Sequence, residues 1–89
     1  MIRMFVRHDV ADYGKWRQAY DAFHAGRQAL GVRGAAVYRS AAKEGDVTIT
    51  HDFDTLEAAR ALVGSARLRE VMTAAGVTSV PTVWFTILA

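Results

Sequence analysis

Residues 46–57 read Asp46-Val47-Thr48-Ile49-Thr50-His51-Asp52-Phe53-Asp54-Thr55-Leu56-Glu57, and two structural periods meet in this stretch. From Val47 to Phe53 the residues alternate. Val47, Ile49, His51 and Phe53 fall on one side and Thr48, Thr50 and Asp52 on the other, the two-residue period of a half-buried strand. Alternation alone leaves open which sheet face His51 occupies, because the loop before this strand does not settle its register. Asp54 then takes an N-cap position with Glu57 as its capping-box acid, so a helix is expected to open here.

Working outward, Ala41-Ala42-Lys43-Glu44-Gly45 joins this strand to an earlier β-rich run, Val32 to Ser40, and a short loop with glycine between two such runs reads as a hairpin. Before it, Tyr13, Trp16, Tyr20, Phe23, Arg27 and Leu30 recur at helical spacing between a capping Asp12 and a terminating Gly31. Tyr20 and Phe23 are expected in the core, with Arg27 snorkelling past it. Ile2 to His8 forms the first strand. After Asp54, the apolar register of Leu56, Ala59 and Val63 shifts to Leu68, Val71, Met72 and Ala75. Ser65 is therefore expected to cap a follow-on helix stopping at Gly76, and Val80 to Leu88 is the last strand. The order β-α-β-β-α-β, closed under the right-handed crossover rule, predicts an α+β ferredoxin-like fold. Its antiparallel four-stranded sheet has order 4-1-3-2 with both helices on one face, in a single domain over residues 1–89.

The 89 residues are 52% hydrophobic and 22% charged, a globular balance, and the net charge of +2 is too weak and scattered to point to nucleic acid. The glycine-aromatic pattern of RNA-recognition modules is missing from Val47 to Phe53. Without cysteine there is neither a disulfide framework nor a thiolate nucleophile. Charge interrupts Met1 to His8, so no export signal is read there. The uncharged stretch after Glu70 carries Thr73, Gly76 and Pro81 among its apolar residues, against a membrane span. The cytoplasm is the expected compartment. No phosphate-binding loop or nucleophile elbow is present. His8 and His51 are expected about 13 Å apart across the sheet, too far for one metal, and no metal site is predicted.

The last strand is apolar on both faces and forms a sheet edge, which predicts a homodimer that covers one sheet with another. The same topology gathers a candidate site at the His8 end, with Tyr13 and Trp16 from the first helix, Arg69 and Met72 from the last, and Thr82 and Trp84 from the final strand. An aromatic-walled cavity with a histidine at its mouth suits a small apolar or aromatic ligand. His8 is the expected acid/base. Tyr13 is the expected hydrogen-bond donor, with Trp16, His51, Arg69, Met72, Thr82 and Trp84 as substrate-binding residues.

The run His8-x-Val10-x-Asp12-Tyr13-x-x-Trp16-Arg17-x-x-Tyr20-Asp21 resembles the first-helix signature of the dimeric α+β-barrel superfamily, in its antibiotic-biosynthesis-monooxygenase-like branch. Tyr38-Arg39, the strand from Val47 to Asp54, and Leu68-Arg69-Glu70-x-Met72-x-x-Ala75-Gly76-Val77 are similar too. The resemblance implies a homodimer whose two sheets close into a barrel. The superfamily includes cofactor-free quinone-forming monooxygenases, haem-degrading monooxygenases, isomerase-like enzymes, stress-responsive barrels and members with no assigned activity. Both oxygenase branches use an asparagine beside a tryptophan. This chain has Trp16 and Trp84 but no asparagine at all. The expectation is a protein that binds, and converts without a cofactor, a small apolar or aromatic oxygenated metabolite. The alternative is a non-catalytic ligand-binding or stress-associated barrel.

Overall fold

The computed structural model describes all of residues 1–89. Its elements are β1 (Ile2–Asp9), α1 (Tyr13–Ala22), α2 (His24–Ala29), β2 (Gly34–Arg39), β3 (Asp46–Phe53), α3 (Leu56–Val63), α4 (Ala66–Ala74) and β4 (Thr82–Ile87). The antiparallel sheet has order β2-β3-β1-β4, the expected α+β ferredoxin-like order read from the opposite edge. No helix is long and apolar enough to cross a membrane.

Local chemistry sets most boundaries. The Asp12 side chain accepts from the Lys15 amide at 3.0 Å and starts α1. Gly31, at φ 97°, turns the chain out of α2 in a conformation that disfavours a side chain. Ser65 accepts from the Leu68 amide and starts α4 after the break at Gly64. Two details differ from expectation. The first helix is interrupted at Phe23, whose φ of −90° and ψ of 11° leave helical geometry for one residue. The cap of α3 is Thr55, whose hydroxyl accepts from the Ala58 amide at 3.2 Å, while Arg33 holds the Asp54 carboxylate at 3.1 Å. Thr55, extended at φ −136° and ψ 155°, directly precedes the first helical residue, so its hydroxyl takes the cap.

The β1–β3 register pairs Met4 with His51 and His8 with Val47, as the topology predicts. Met4, Val6 and His8 therefore share a face with Val47, Ile49, His51 and Phe53, and the helices pack on that face. Val10, Trp16, Val32, Ala59 and Leu62 complete the buried apolar cluster. The opposite face is open. It carries Phe5 stacked on Trp84, ring centroids 5.2 Å apart, between the ion pairs Arg3–Asp52 and Arg7–Asp46.

Candidate functional site

The clearest sign of a site is a helix that does not complete its packing. The apolar side of α4 presents Leu68, Val71 and Met72, yet none of its residues is buried. Apolar side chains at helical spacing ordinarily close onto a core. Here they face a cavity of about 560 Å³ between α4, the α1–α2 pair and the sheet. That volume falls in the range of small-molecule pockets.

The sheet supplies Met4, Val6, Ile49, His8 and His51 to this cavity, and α1 and α2 supply Trp16, Tyr20 and Arg27, with Phe23 between them. Trp16, 3% exposed, meets His8 edge-on at 5.7 Å and stacks on Tyr20 at 4.9 Å. Edge-on and offset contacts of this kind suit the aromatic quadrupole. The Tyr20 hydroxyl lies 3.0 Å from His51 Nε2, and the Arg27 guanidinium covers the Tyr20 ring at 3.6 Å. No aspartate or glutamate lines the cavity, whereas Arg27, Arg69 and both histidines do.

Burial controls protonation here. His51 is pushed down to about 4, first by burial and then by the charge of Arg27, so its ring is neutral near physiological pH. Burial lowers His8 as well, opposed by nearby backbone groups and by the charges of Asp9 and Asp46. Desolvation raises Tyr20, which keeps it a phenol. Both histidines leave Nδ1 buried with no well-aligned hydrogen-bond partner. A buried polar atom without a partner is costly and uncommon.

Of the residues singled out from the sequence, the structure brings His8, Trp16, His51, Arg69 and Met72 to one cavity. It resolves the face of His51, which lies toward the helices at 6% exposure. Three residues fall elsewhere. Tyr13 is turned toward the β2 edge, its ring covered by Arg39 at 3.9 Å and its hydroxyl 3.5 Å from Arg17. Trp84 pairs with Phe5 and Thr82 with Arg7, so both sit on the open sheet face, behind the cavity wall. The final strand is apolar on both sides, and only the register with β1 decides which side faces the helices. Val83 takes the cavity position instead.

Tyr20, Phe23 and Arg27 line the cavity where core and snorkelling positions were expected. Arg27 is 5% exposed, so its head turns inward. One sequence signal could have singled it out: Arg27 lies on the aromatic helix face, and no acid stands three or four residues away to pair with it.

No family model matches this chain, and no curated protein matches it by sequence. Solved structures do. An antibiotic biosynthesis monooxygenase-like protein from Bordetella bronchiseptica superposes with TM-score 0.83 at 17% identity, covering 99% of this chain and 96% of that one. SnoaB, a cofactor-independent oxygenase from Streptomyces nogalater, gives TM-score 0.76 at 13% identity over 98% of this chain and 91% of its own. A monooxygenase from Streptomyces coelicolor, solved with the ligand nanaomycin D, gives 0.70 at 19% identity over 99% and 87%. The chain thus has the ferredoxin-like α+β fold of the antibiotic biosynthesis monooxygenase-like proteins. Identities this low establish the fold, and the activity has to be argued from the site.

Proposed function

We propose that the chain is a homodimeric small-molecule-binding protein whose helix-side cavity holds an apolar or aromatic oxygenated metabolite and converts it without a cofactor. The observation that carries this reading is the cavity itself, about 560 Å³, walled by Trp16 and Tyr20 and furnished with two buried, incompletely bonded histidines. SnoaB, a cofactor-independent oxygenase, and the nanaomycin-bound structure have the same fold and support it.

His8 is the acid/base of this proposal. Its depressed pKa favours the neutral ring that can take a proton from an acidic carbon or phenol. Tyr20 takes the hydroxyl role expected of Tyr13, because its oxygen reaches the cavity wall beside His51. Trp16 and Met72 would flank the ligand's apolar body, and Arg69 would meet a polar group at the rim.

The open sheet face supports the homodimer. Trp84, stacked on Phe5, is 41% exposed there, on an edge strand with no charge, a surface that sheet-on-sheet association would cover. Native mass spectrometry of gently purified protein tests both halves. A dimer carrying a retained organic molecule is expected, and a monomer that binds none of a panel of aromatic ketones and phenols would overturn the reading. With a substrate in hand, His8→Ala should abolish turnover and spare binding. Unchanged turnover would remove His8 from the chemistry and favour the non-catalytic alternative.

A further inference from the structure

Arg27 is a buried cation without an anion. It is 5% exposed, and the six ion pairs of the protein all involve other residues. Its one hydrogen bond goes from Nη1 to the Tyr20 carbonyl, and its only other polar support is the Tyr20 ring face at 3.6 Å. A guanidinium offers five N–H donors in a planar fork, so most of its donor capacity is unused. Burying a charge this way is expensive unless a partner repays the lost hydration.

The surroundings contain no such partner. The cavity wall presents Arg27, Arg69, His8 and His51 and not one carboxylate. The nearest acid in sequence, Asp21 on α1, acts on Arg27 only through space and is paired with Arg17 at 3.0 Å, and Asp52, next to His51, is committed to Arg3 on the opposite sheet face. Beside Arg27 stands a second group with spare capacity, His51, whose Nδ1 is buried and unbonded. The remainder of the wall is largely apolar.

We propose that Arg27, with Tyr20 and His51 beside it, is the seat for a ligand carboxylate, so that the molecule held in the cavity is an aromatic or otherwise apolar carboxylic acid bound with its acid group toward α2. The fork geometry of the guanidinium matches the two oxygens of a carboxylate, and such charge-assisted pairs are the strong ones in a low-dielectric site. The apolar body of the acid then extends along Trp16 toward Met72 and Val83. This inference rests on the reading of the cavity as a ligand site and narrows its ligand class.

Two probes of one shape separate the claims. Calorimetric titration near neutral pH compares 2-naphthoate with 2-naphthalenemethanol, which differ chiefly in charge. The wild-type protein should bind the acid at least about tenfold more tightly than the alcohol, the difference expected of one charged hydrogen-bonded contact. Arg27→Met should remove that preference while retaining the alcohol, and Arg27→Lys should keep part of it. Equal affinity for both probes in the wild type would overturn the carboxylate seat and leave the cavity reading standing. A preference that survives in Arg27→Met would also overturn it. Failure of both probes to bind would overturn the seat together with the ligand-site reading. The wild-type comparison needs no variant, so poor folding of Arg27→Met cannot obscure the result.

Discussion

The guanidinium of Arg27 stacks on the ring of Tyr20, its central carbon 3.6 Å from the ring centroid. The same tyrosine reaches His51 through its hydroxyl, 3.0 Å from Nε2. One side chain of α1 thereby couples a buried cation on α2 to a buried imidazole on β3. Helix and sheet are tied across the cavity by polar contacts where the apolar packing of α4 leaves space.

Tyr20→Phe keeps the ring under Arg27 and deletes the hydroxyl, leaving His51 with no hydrogen bond at either ring nitrogen. The expected loss is about 1–3 kcal/mol of folding free energy. Urea denaturation of the variant checks it. A midpoint identical to wild type would mean that the Tyr20–His51 bond contributes nothing.

The low pKa of His51 predicts a pH profile. The folded protein holds this ring neutral down to about 4, whereas an unfolded histidine takes a proton near 6.5. Between those values the unfolded chain binds more protons. Stability is therefore complete above about 6.5 and falls as pH drops toward 4, by roughly 3 kcal/mol for a shift of this size. His8, shifted in the same direction, adds to the slope. Proton NMR of the histidine rings should show His51 titrating near 4, and its midpoint should rise in Arg27→Met, which removes the neighbouring charge. A His51 midpoint near 6.5 in the wild type would contradict the burial argument.

Gly31 and Gly64 both end helices but predict opposite outcomes. Gly31 has φ 97°, so Gly31→Ala should cost about 1–2 kcal/mol. Gly64 has φ −79°, and a methyl there would meet the Arg60 carbonyl at an ordinary 3.6 Å. Gly64→Ala should be neutral or stabilise by about 0.4–1 kcal/mol through the unfolded chain. Thermal melts of the two variants check the contrast.

The fold was readable because each strong signal has a local cause. The alternation in β3, the cap at Asp12, the break at Ser65 and the turns at Gly31 and Gly76 depend on neighbours in sequence, and the chain order then leaves one simple closure. The site was readable only where a residue's face follows from that closure, as for His8, Trp16 and Met72. Trp84 was not, because β4 is apolar on both sides and its facing depends on pairing with Phe5, seventy-nine residues away in sequence. Arg27 was not, because an arginine on an apolar helix face ordinarily extends to water, and its inward turn depends on the space that α4 leaves. Thr55 rather than Asp54 caps α3 because the helix opens one residue later than the capping-box spacing indicates.

The proposed dimer makes the two tryptophans report on different events. Trp16 lies within the cavity wall and Trp84 on the open sheet face. Sedimentation at micromolar concentration should give a dimer, and Trp84→Glu should shift it toward monomer, since a lone carboxylate would be buried between the sheets. A wild-type monomer at all concentrations would show that the Phe5–Trp84 face is not an interface between copies.

The most direct test of the central claim, that the helix-side cavity is a ligand site, is ligand-observed NMR with a panel of two-ring aromatic molecules against the wild type and Val83→Trp. Val83 lines the cavity on a half-buried strand position, and an indole there would project into the space where the ligand's apolar body is placed. Binding to the wild type that is lost in a folded Val83→Trp is the predicted result. Binding of equal strength by both proteins, or by neither, would contradict it.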